Sequence, residues 1–422
     1  MQDEMKKTPL FEEHLKRGAK IANFGGYDMP LWYTAGPKDE HLAVIKTAGI
    51  FDTSHMAAVS VKGKNAFDLL QKLYSKDLNS CIGPKKGPLE TGKCVYGVFL
   101  KEDASVIDDA IVYMIDTYIY TIIVNAGMGS VISNHLRNCS GTLDVEIEDL
   151  TDKLGKIDVQ GPKAAKIVEN LIQNPDQVLE KLPYFNFKGF FNDSAGKTDV
   201  KLLDGTPILL SRTGYTGEFG FEIFVEIKHT LKLWECILKA AEGFDALPCG
   251  LAARDSLRAG AVLPLSHQDI GDWPFAENPW LFALPLNPDN SFSKSFTGSD
   301  ALKNIESPEY THAFVGFDPR KVIPGKDTVV VDEQENAIGT VLTCVTDMAI
   351  NRHEGKIFSV ASKDQPENLQ FKGLSCGFVK TTLKMNPGQM VYLKGNKRKF
   401  KVEIVEDIRP DRTARIAMAK MR

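Results

Sequence analysis

An aspartate pair, Asp108-Asp109, opens a β-rich run, and a glycine-punctuated segment from Ser211 to Glu226 carries Arg212, Tyr215, Glu218 and Glu222. Carboxylates move protons and balance developing positive charge, and tyrosines offer a flat apolar ring with a hydroxyl at its rim. Strand side chains alternate, so Asp109 shares a face with Ile111 and Tyr113 while Asp108 points the other way. The runs Ile111 to Ile115 and Tyr118 to Val124 flank Asp116-Thr117 and read as a hairpin. Pairing that is symmetric about this turn sets Asp109 opposite Val124, with Asn125 beside it at the strand end. Tyr96 falls in the middle of the preceding strand, Lys93 to Leu100. A carboxylate, two tyrosines and an amide could therefore converge at one end of one sheet. The alternative is that Asp108 and Asp109 merely begin a strand with turn-type hydrogen bonds.

In the second segment Gly214, Gly217 and Gly220 stand between Ile208-Leu209-Leu210 and the alternating Phe221, Ile223 and Val225. Glycines there permit positive φ and close approach of a ligand to the backbone. Glu222 lies on the face opposite Phe221 and Ile223, so it is either solvated or, if its own face lines a pocket, a carboxylate that reads a ligand. The spacing is not a dinucleotide fingerprint, which needs G-x-G-x-x-G leading into a helix. Arg254, in an apolar run with Asp255 beside it and Arg258 one turn on, must close an internal ion pair or meet an anionic or carbonyl ligand. Asp52-Thr53-Ser54-His55 holds triad residue types, but as sequence neighbours, and triad members converge from separate elements. Turn hydrogen bonding is the expectation there. The histidines show no metal-ligand spacing and no phosphate loop is present, so neither a metal site nor an NTPase is expected.

The elements that must position these groups read as follows. Helices are expected over Leu10 to Gly18, Asp39 to Ala48, Asn65 to Leu73 and Ser130 to Cys139, with a strand at Val59 to Val61 and a glycine-rich loop around Gly25-Gly26 and Pro30. Gln160-Gly161-Pro162 leads into a helical run through Leu171, with proline in its first turn. Trp234, Ile237, Leu238 and Ala241 mark an amphipathic helix after the glycine segment. The aromatic stretch Asp272 to Pro288 resembles a domain junction, and beyond Phe292 short strands and turns suggest a small β-barrel or sandwich. Polar Asn351 to Lys372 is expected as an exposed insertion, and Lys394 to Lys401 as a hairpin tip. With 422 residues the chain has room for two or three domains. A net charge of -4 argues against a nucleic-acid partner. Seven scattered cysteines without a C-x-x-C pair fit a reducing cytoplasm, and no apolar run is long enough for a membrane span. A soluble cytoplasmic protein is the expectation.

Together these runs resemble the glycine-cleavage T-protein (aminomethyltransferase) family. The resemblance rests on Thr8-Pro9-Leu10-Phe11, Gly26-Tyr27-Asp28-Met29-Pro30, Phe51-Asp52-Thr53-Ser54-His55-Met56, Ile107-Asp108-Asp109, Gln160-Gly161-Pro162, the Ser211 to Ile223 run and Gly250-Leu251-Ala252-Ala253-Arg254-Asp255. It covers roughly residues 8–270 in register, and the last third matches weakly. It implies an α+β, three-lobed cloverleaf: residues 1–55 with 150–285 as one folate-binding lobe, 56–149 as a second that carries the catalytic aspartate, and 290–422 as a β-barrel domain. It implies tetrahydrofolate as co-substrate, Asp109 as the catalytic carboxylate, and Met56, Tyr96, Tyr113, Asn125, Tyr215, Glu222 and Arg254 as folate-lining positions. The implied reaction moves a one-carbon unit from the aminomethyl-lipoyl arm of an H-protein to tetrahydrofolate, with release of ammonia. The chain departs from the family after Arg258, where AGAVLPLSHQDIGDWPFAENPW replaces the usual turn, and Trp273, Phe275 and Trp280 are expected either to reshape the donor entrance or to pack an interdomain seam. These departures keep open a demethylase acting on a small O-, N- or S-methyl donor, and a folate-binding accessory protein without catalysis.

Overall fold

The structure is a computed structural model that describes residues 5–192, 195–306 and 308–422. Its central feature is a pair of antiparallel-rich sheets, each with one face packed on its own helices and the other, of mixed polarity, turned toward its counterpart. The first runs in the order Cys94–Leu100, Val106–Asp116, Ile119–Val124, Ala57–Lys62, Glu146–Asp149. Val59, Val61, Val112, Ile122 and Val124 on one face bury the apolar stripe Ala66, Leu69, Leu70 and Leu73 of helix Ala66–Leu73, together with Ile132 and Leu136 of helix Gly129–Ser140. That stripe follows helical spacing, which is why the segment folds as a helix lying on the sheet. Asp109 and Ile111 are thereby left on the other face.

The second sheet runs Phe187–Lys188, Leu209–Ser211, Gly220–Glu226, Leu154–Gln160, Gly49–Asp52, Leu247–Pro248. Phe221, Ile223, Val225, Ile157 and Val159 pack against Trp234 and Ile237 of helix Thr230–Ala240. Alternation then turns Glu222, Lys156 and Asp158 to the opposite side. A closed barrel of Tyr310–Gly316, Leu374–Thr381, Ala337–Asp347, Val329–Val331, Met390–Lys394 and Lys399–Val405 completes the three-lobed α+β arrangement.

Several expectations are corrected. The aspartate hairpin pairs Ala110, not Asp109, with Val124. It turns on Thr117-Tyr118 with Asp116 paired to Ile119, one residue later than expected, and the irregularity between Met114 and Asp116 recovers only part of that offset. Asp109 therefore lies one step beyond the last pair, next to Asn125. The glycine-rich loop is a hairpin, Lys20–Phe24 with Tyr27–Trp32, turning on Gly25 (φ 57) and Gly26 (φ 82). Two successive positive φ angles make the tight turn that matches strand twist. Pro30 is tolerated because Lys6–Lys7 pairs only with Tyr27 and Asp28 and leaves that edge open. Pro162 precedes helix Ala164–Glu169 and is not in its first turn. Asn351 to Lys372 is not wholly exposed: it holds the hairpin Ile350–His353 and Lys356–Ser359, and Val360 and Ala361 pack on a cluster that includes Val44 and Leu257. No described helix is long and apolar enough to cross a membrane.

Candidate active site

The facing sides of the two sheets border a cavity of about 840 Å³. Its aspartate wall is built by three adjacent strands. Tyr96 donates its hydroxyl to Asp109 Oδ2 at 2.8 Å, and Asn125 Nδ2 donates to Asp109 Oδ1 at 2.6 Å. The same amide donates to Asp108 Oδ1 at 2.8 Å, and the Asn125 backbone N–H to Asp108 Oδ2 at 2.9 Å. Ser266 Oγ adds a third donor to the fully buried Asp108 at 2.8 Å. Burial and the neighbouring charge of Asp108 push the Asp109 carboxyl up to about 7, against the hydrogen bonds from Tyr96 and Asn125. A carboxyl poised there can both hold and release a proton near neutrality.

The opposite wall carries two cations and two carboxylates. Lys156 Nζ donates to Glu222 Oε1 at 2.5 Å and to Asp158 Oδ1 at 2.6 Å, and Arg254 Nη1 donates to Asp158 Oδ2 at 2.9 Å. Thr213 Oγ1 donates to Glu222 Oε2. Burial alone would raise the Asp158 carboxyl, but Lys156 and Arg254 hold it below its ordinary value. The Arg254 guanidinium stacks 4.9 Å from the centre of the Tyr215 ring, whose hydroxyl donates to the Pro264 carbonyl. Arg254 closes an internal bridge, one of the two readings left open by its sequence, and it also borders the cavity.

Asp109, Met56, Tyr96, Asn125, Tyr215, Glu222 and Arg254 all line the cavity. Tyr113 does not. It is 1% exposed and reaches Glu222 from behind, its hydroxyl 3.4 Å from Oε2 and within bonding distance of Ser211 and Thr213. Phe275 and Trp280 do not line the cavity either: they are buried in the cluster joining the aspartate sheet to the barrel, with Trp280 donating Nε1–H to the Val262 carbonyl at 2.9 Å. From that stretch, Pro279 and Phe282 face the cavity instead. Asp52 makes the expected turn contact with the Ser54 N–H, and also accepts from Thr8 and meets His14.

Lys156, Asp158 and His55 were not singled out for the site by their sequence. The alternation Lys156-Ile157-Asp158-Val159-Gln160 was the available signal, a strand with polar residues at every second place. His55 is 1% exposed, lines the cavity, and burial lowers its imidazole to about 4.

The family model described as the GCVT N-terminal domain matches residues 10–273. An aminomethyltransferase from Natranaerobius thermophilus is 37% identical over 316 residues, which is 74% of this chain and 78% of its own length. One from Caldanaerobacter subterraneus subsp. tengcongensis is 36% identical over 319 residues, 75% of this chain and 78% of its own. The solved structure of glycine cleavage system aminomethyltransferase T from Bartonella henselae superposes with a TM-score of 0.75 at 25% identity, over 95% of this chain and 97% of that one. On the domain match, the sequence identity and the shared three-lobed architecture, the chain belongs to the glycine-cleavage T-protein (aminomethyltransferase) family.

Proposed function

We propose that this enzyme transfers the one-carbon unit of an aminomethyl group, carried on the lipoyl arm of an H-protein, to tetrahydrofolate, forming 5,10-methylenetetrahydrofolate and ammonia. The observation that carries this reading is one cavity with a poised carboxyl on one wall and a charge-balanced carboxylate set on the other. The residues suit the co-substrate. A volume of about 840 Å³ is in the range of small-molecule sites. Glu222 offers a carboxylate to the amino and ring N–H donors of a pterin, and Arg254 and Lys156 offer donors to its carbonyl. When bound, tetrahydrofolate supplies the nitrogens that accept the one-carbon unit.

The chain's own groups then do the rest. Asp109, held by Tyr96 and Asn125, acts in its ionised form and offsets the positive charge on the transferring group. It then takes the proton that a folate nitrogen loses on bonding to the carbon, and returns it to the departing groups as the carbon's bonds to ammonia and to the lipoyl sulfur break. Tyr215, fixed by Arg254 and by Pro264, gives an apolar wall with a defined orientation. Leu263, Pro264 and Leu265, with Pro279 and Phe282, give one apolar stretch of the border that keeps water from the carbon being transferred. The division into lobes at residues 56, 150 and 290 goes with this proposal, since it puts Asp109 and Glu222 on different lobes that close on one ligand.

Demethylation of a small methyl donor rested on the departures after Arg258, among them Trp273, Phe275 and Trp280 as residues that could reshape the entrance. Phe275 and Trp280 pack the seam and give a small donor no support, while Leu263, Pro279 and Phe282 of the departing stretch line the cavity. The test is turnover with aminomethylated H-protein against a panel of O-, N- and S-methyl compounds at saturating tetrahydrofolate. Ammonia and 5,10-methylenetetrahydrofolate from the H-protein arm support the proposal; 5-methyltetrahydrofolate from a small donor alone overturns it.

A further inference from the structure

Behind the aspartate wall, the turn from Leu265 to Asp269 brings a histidine onto Asp108. His267 has φ +62, in the left-handed region that favours glycine. A side chain held there points to surroundings that over-determine it, and such strain gathers at functional sites. The turn is anchored on both sides. Asp269 N–H donates to the Leu265 carbonyl at 2.8 Å and Leu265 N–H to Asp269 Oδ2 at 2.9 Å, while the Asp269 carboxylate pairs with buried Arg258 and accepts from Thr343 at 2.7 Å. Fixed in this way, the turn delivers Ser266 Oγ to Asp108 at 2.8 Å and His267 Nε2 to the same oxygen at 3.5 Å. The imidazole is 47% exposed and Asp108 is fully buried, so His267 connects solvent to a carboxylate that shares the Asn125 amide with Asp109.

We infer that His267 is a positioning residue for the transfer: seated on Asp108, its imidazolium offsets the charge of that carboxylate and so decides how readily Asp109 gives up its proton. This rests on the proposed role of Asp109. The groups facing the imidazole are Asp108 and Asp109 from the hairpin and Asp272 from its own segment, all acidic, and contact with Asp108 draws the imidazole upward from its ordinary value against its partial burial. The groups facing Asp109 are Asp108, Tyr96 and Asn125, with Tyr215 across the cavity. His267 is the cation in this set. It pulls the Asp109 carboxyl downward while burial and Asp108 push it up. Without it, Asp109 keeps its proton to higher pH.

The variants His267→Gly and His267→Asn test this, since both residues accept a left-handed backbone and neither carries charge. In protein labelled with ¹³C at aspartate carboxyls, with the Asp109→Asn spectrum as assignment, the Asp109 midpoint should rise by about half a unit or more in both variants, roughly threefold tighter proton binding. The acid limb of kcat should move up with it, while plateau kcat and folate affinity stay as in the parent. A purely structural histidine would lower kcat or stability at every pH and leave the midpoint alone. An unmoved midpoint in folded variants overturns the inference, and so does a moved midpoint with an unmoved acid limb. The titration needs no substrate, so failure of every donor to turn over would sink the proposed reaction while the midpoint still decides whether His267 sets the proton affinity of Asp109.

Discussion

Asp109 and Asp108 are neighbours in sequence with different work, and what separates them is one residue of strand alternation. Asp109 faces the cavity and Asp108 is buried beneath it, accepting from Asn125 and Ser266. Replacing Asp109 by Asn should keep folate affinity while lowering kcat roughly 10²-fold or more, the scale of combined acid–base and electrostatic terms. The same variant reports on ionisation. The folded carboxyl is raised to about 7, so its contribution to stability is present below the unfolded value and is lost as pH rises through 7. The Tm of Asp109→Asn relative to the parent should therefore be higher at pH 8 than at pH 5; a difference independent of pH would mean that Asp109 is not held in its neutral form by the fold. On the other wall, Glu222→Gln keeps shape and removes charge. Losing a charge-assisted pair of about 1.5–3 kcal/mol should weaken tetrahydrofolate binding by roughly tenfold or more, and unchanged affinity by calorimetry would remove Glu222 from the ligand contacts.

At the scale of elements, what was legible followed from periodicity. Phe221 and Ile223 against Glu222 gave the correct face of the strand Gly220–Glu226, and Trp234 and Ile237 at helical spacing gave the helix over it. What was not legible were the non-periodic details. The hairpin turns one residue later than expected and the irregularity near Ile115 only partly compensates, so the register ends one residue off. Asp109 still met Asn125, because an offset of one leaves it at the same strand end. Tyr113 has the right parity for the cavity face but sits too far along the strand, beneath Glu222, where ring packing on Phe187 and Phe224 buries it. Gly25-Gly26 was read as a loop since no alternation precedes it, although paired glycines also suit a tight hairpin. The aromatic stretch 272–288 was ambiguous because seam and entrance both favour aromatics, and it serves both: Phe275 and Trp280 pack the seam, Pro279 and Phe282 line the cavity. Trp280 lies edge-on to Phe378 of the barrel at 5.0 Å between ring centres. Truncating it to Ala should cost about 3–5 kcal/mol as a core cavity. The expected reading is a lower Tm with KM for the one-carbon donor unchanged at a temperature where the variant is folded; a raised KM with normal Tm would return Trp280 to the entrance.

At the scale of the whole molecule, the barrel is tied to the cavity by a buried charged node. Asp347, at the end of the barrel strand Ala337–Asp347, meets His41 Nε2 of helix Gly36–Lys46 at 2.9 Å and Arg409 Nη1 at 2.6 Å. Arg409 in turn lies 3.3 Å from Glu218 and donates to the Thr216 carbonyl, so it holds the glycine-punctuated turn that presents Tyr215. Gly260 is required at this crossing, for a Cβ there would lie 1.9 Å from an Asp347 oxygen. Arg409→Met leaves two buried carboxylates short of a cation, which should cost about 3–5 kcal/mol. Because the turn carrying Tyr215 loses its anchor, folate affinity should fall as well, although Arg409 is absent from the cavity wall. The pH dependence has a definite sign. Burial opposes ionisation of Asp347, but Arg409 and His41 hold its carboxyl far below the ordinary range. The stability it provides is present above the unfolded value near 4 and drains away as pH falls below it. The Tm gap between parent and variant should thus be widest near neutrality and shrink in acid, whereas Lys394→Ala at the exposed barrel tip should leave both Tm and folate binding alone. If Arg409→Met lowers Tm and leaves folate affinity intact, the barrel is a scaffold only, and the node does not carry its packing into the site.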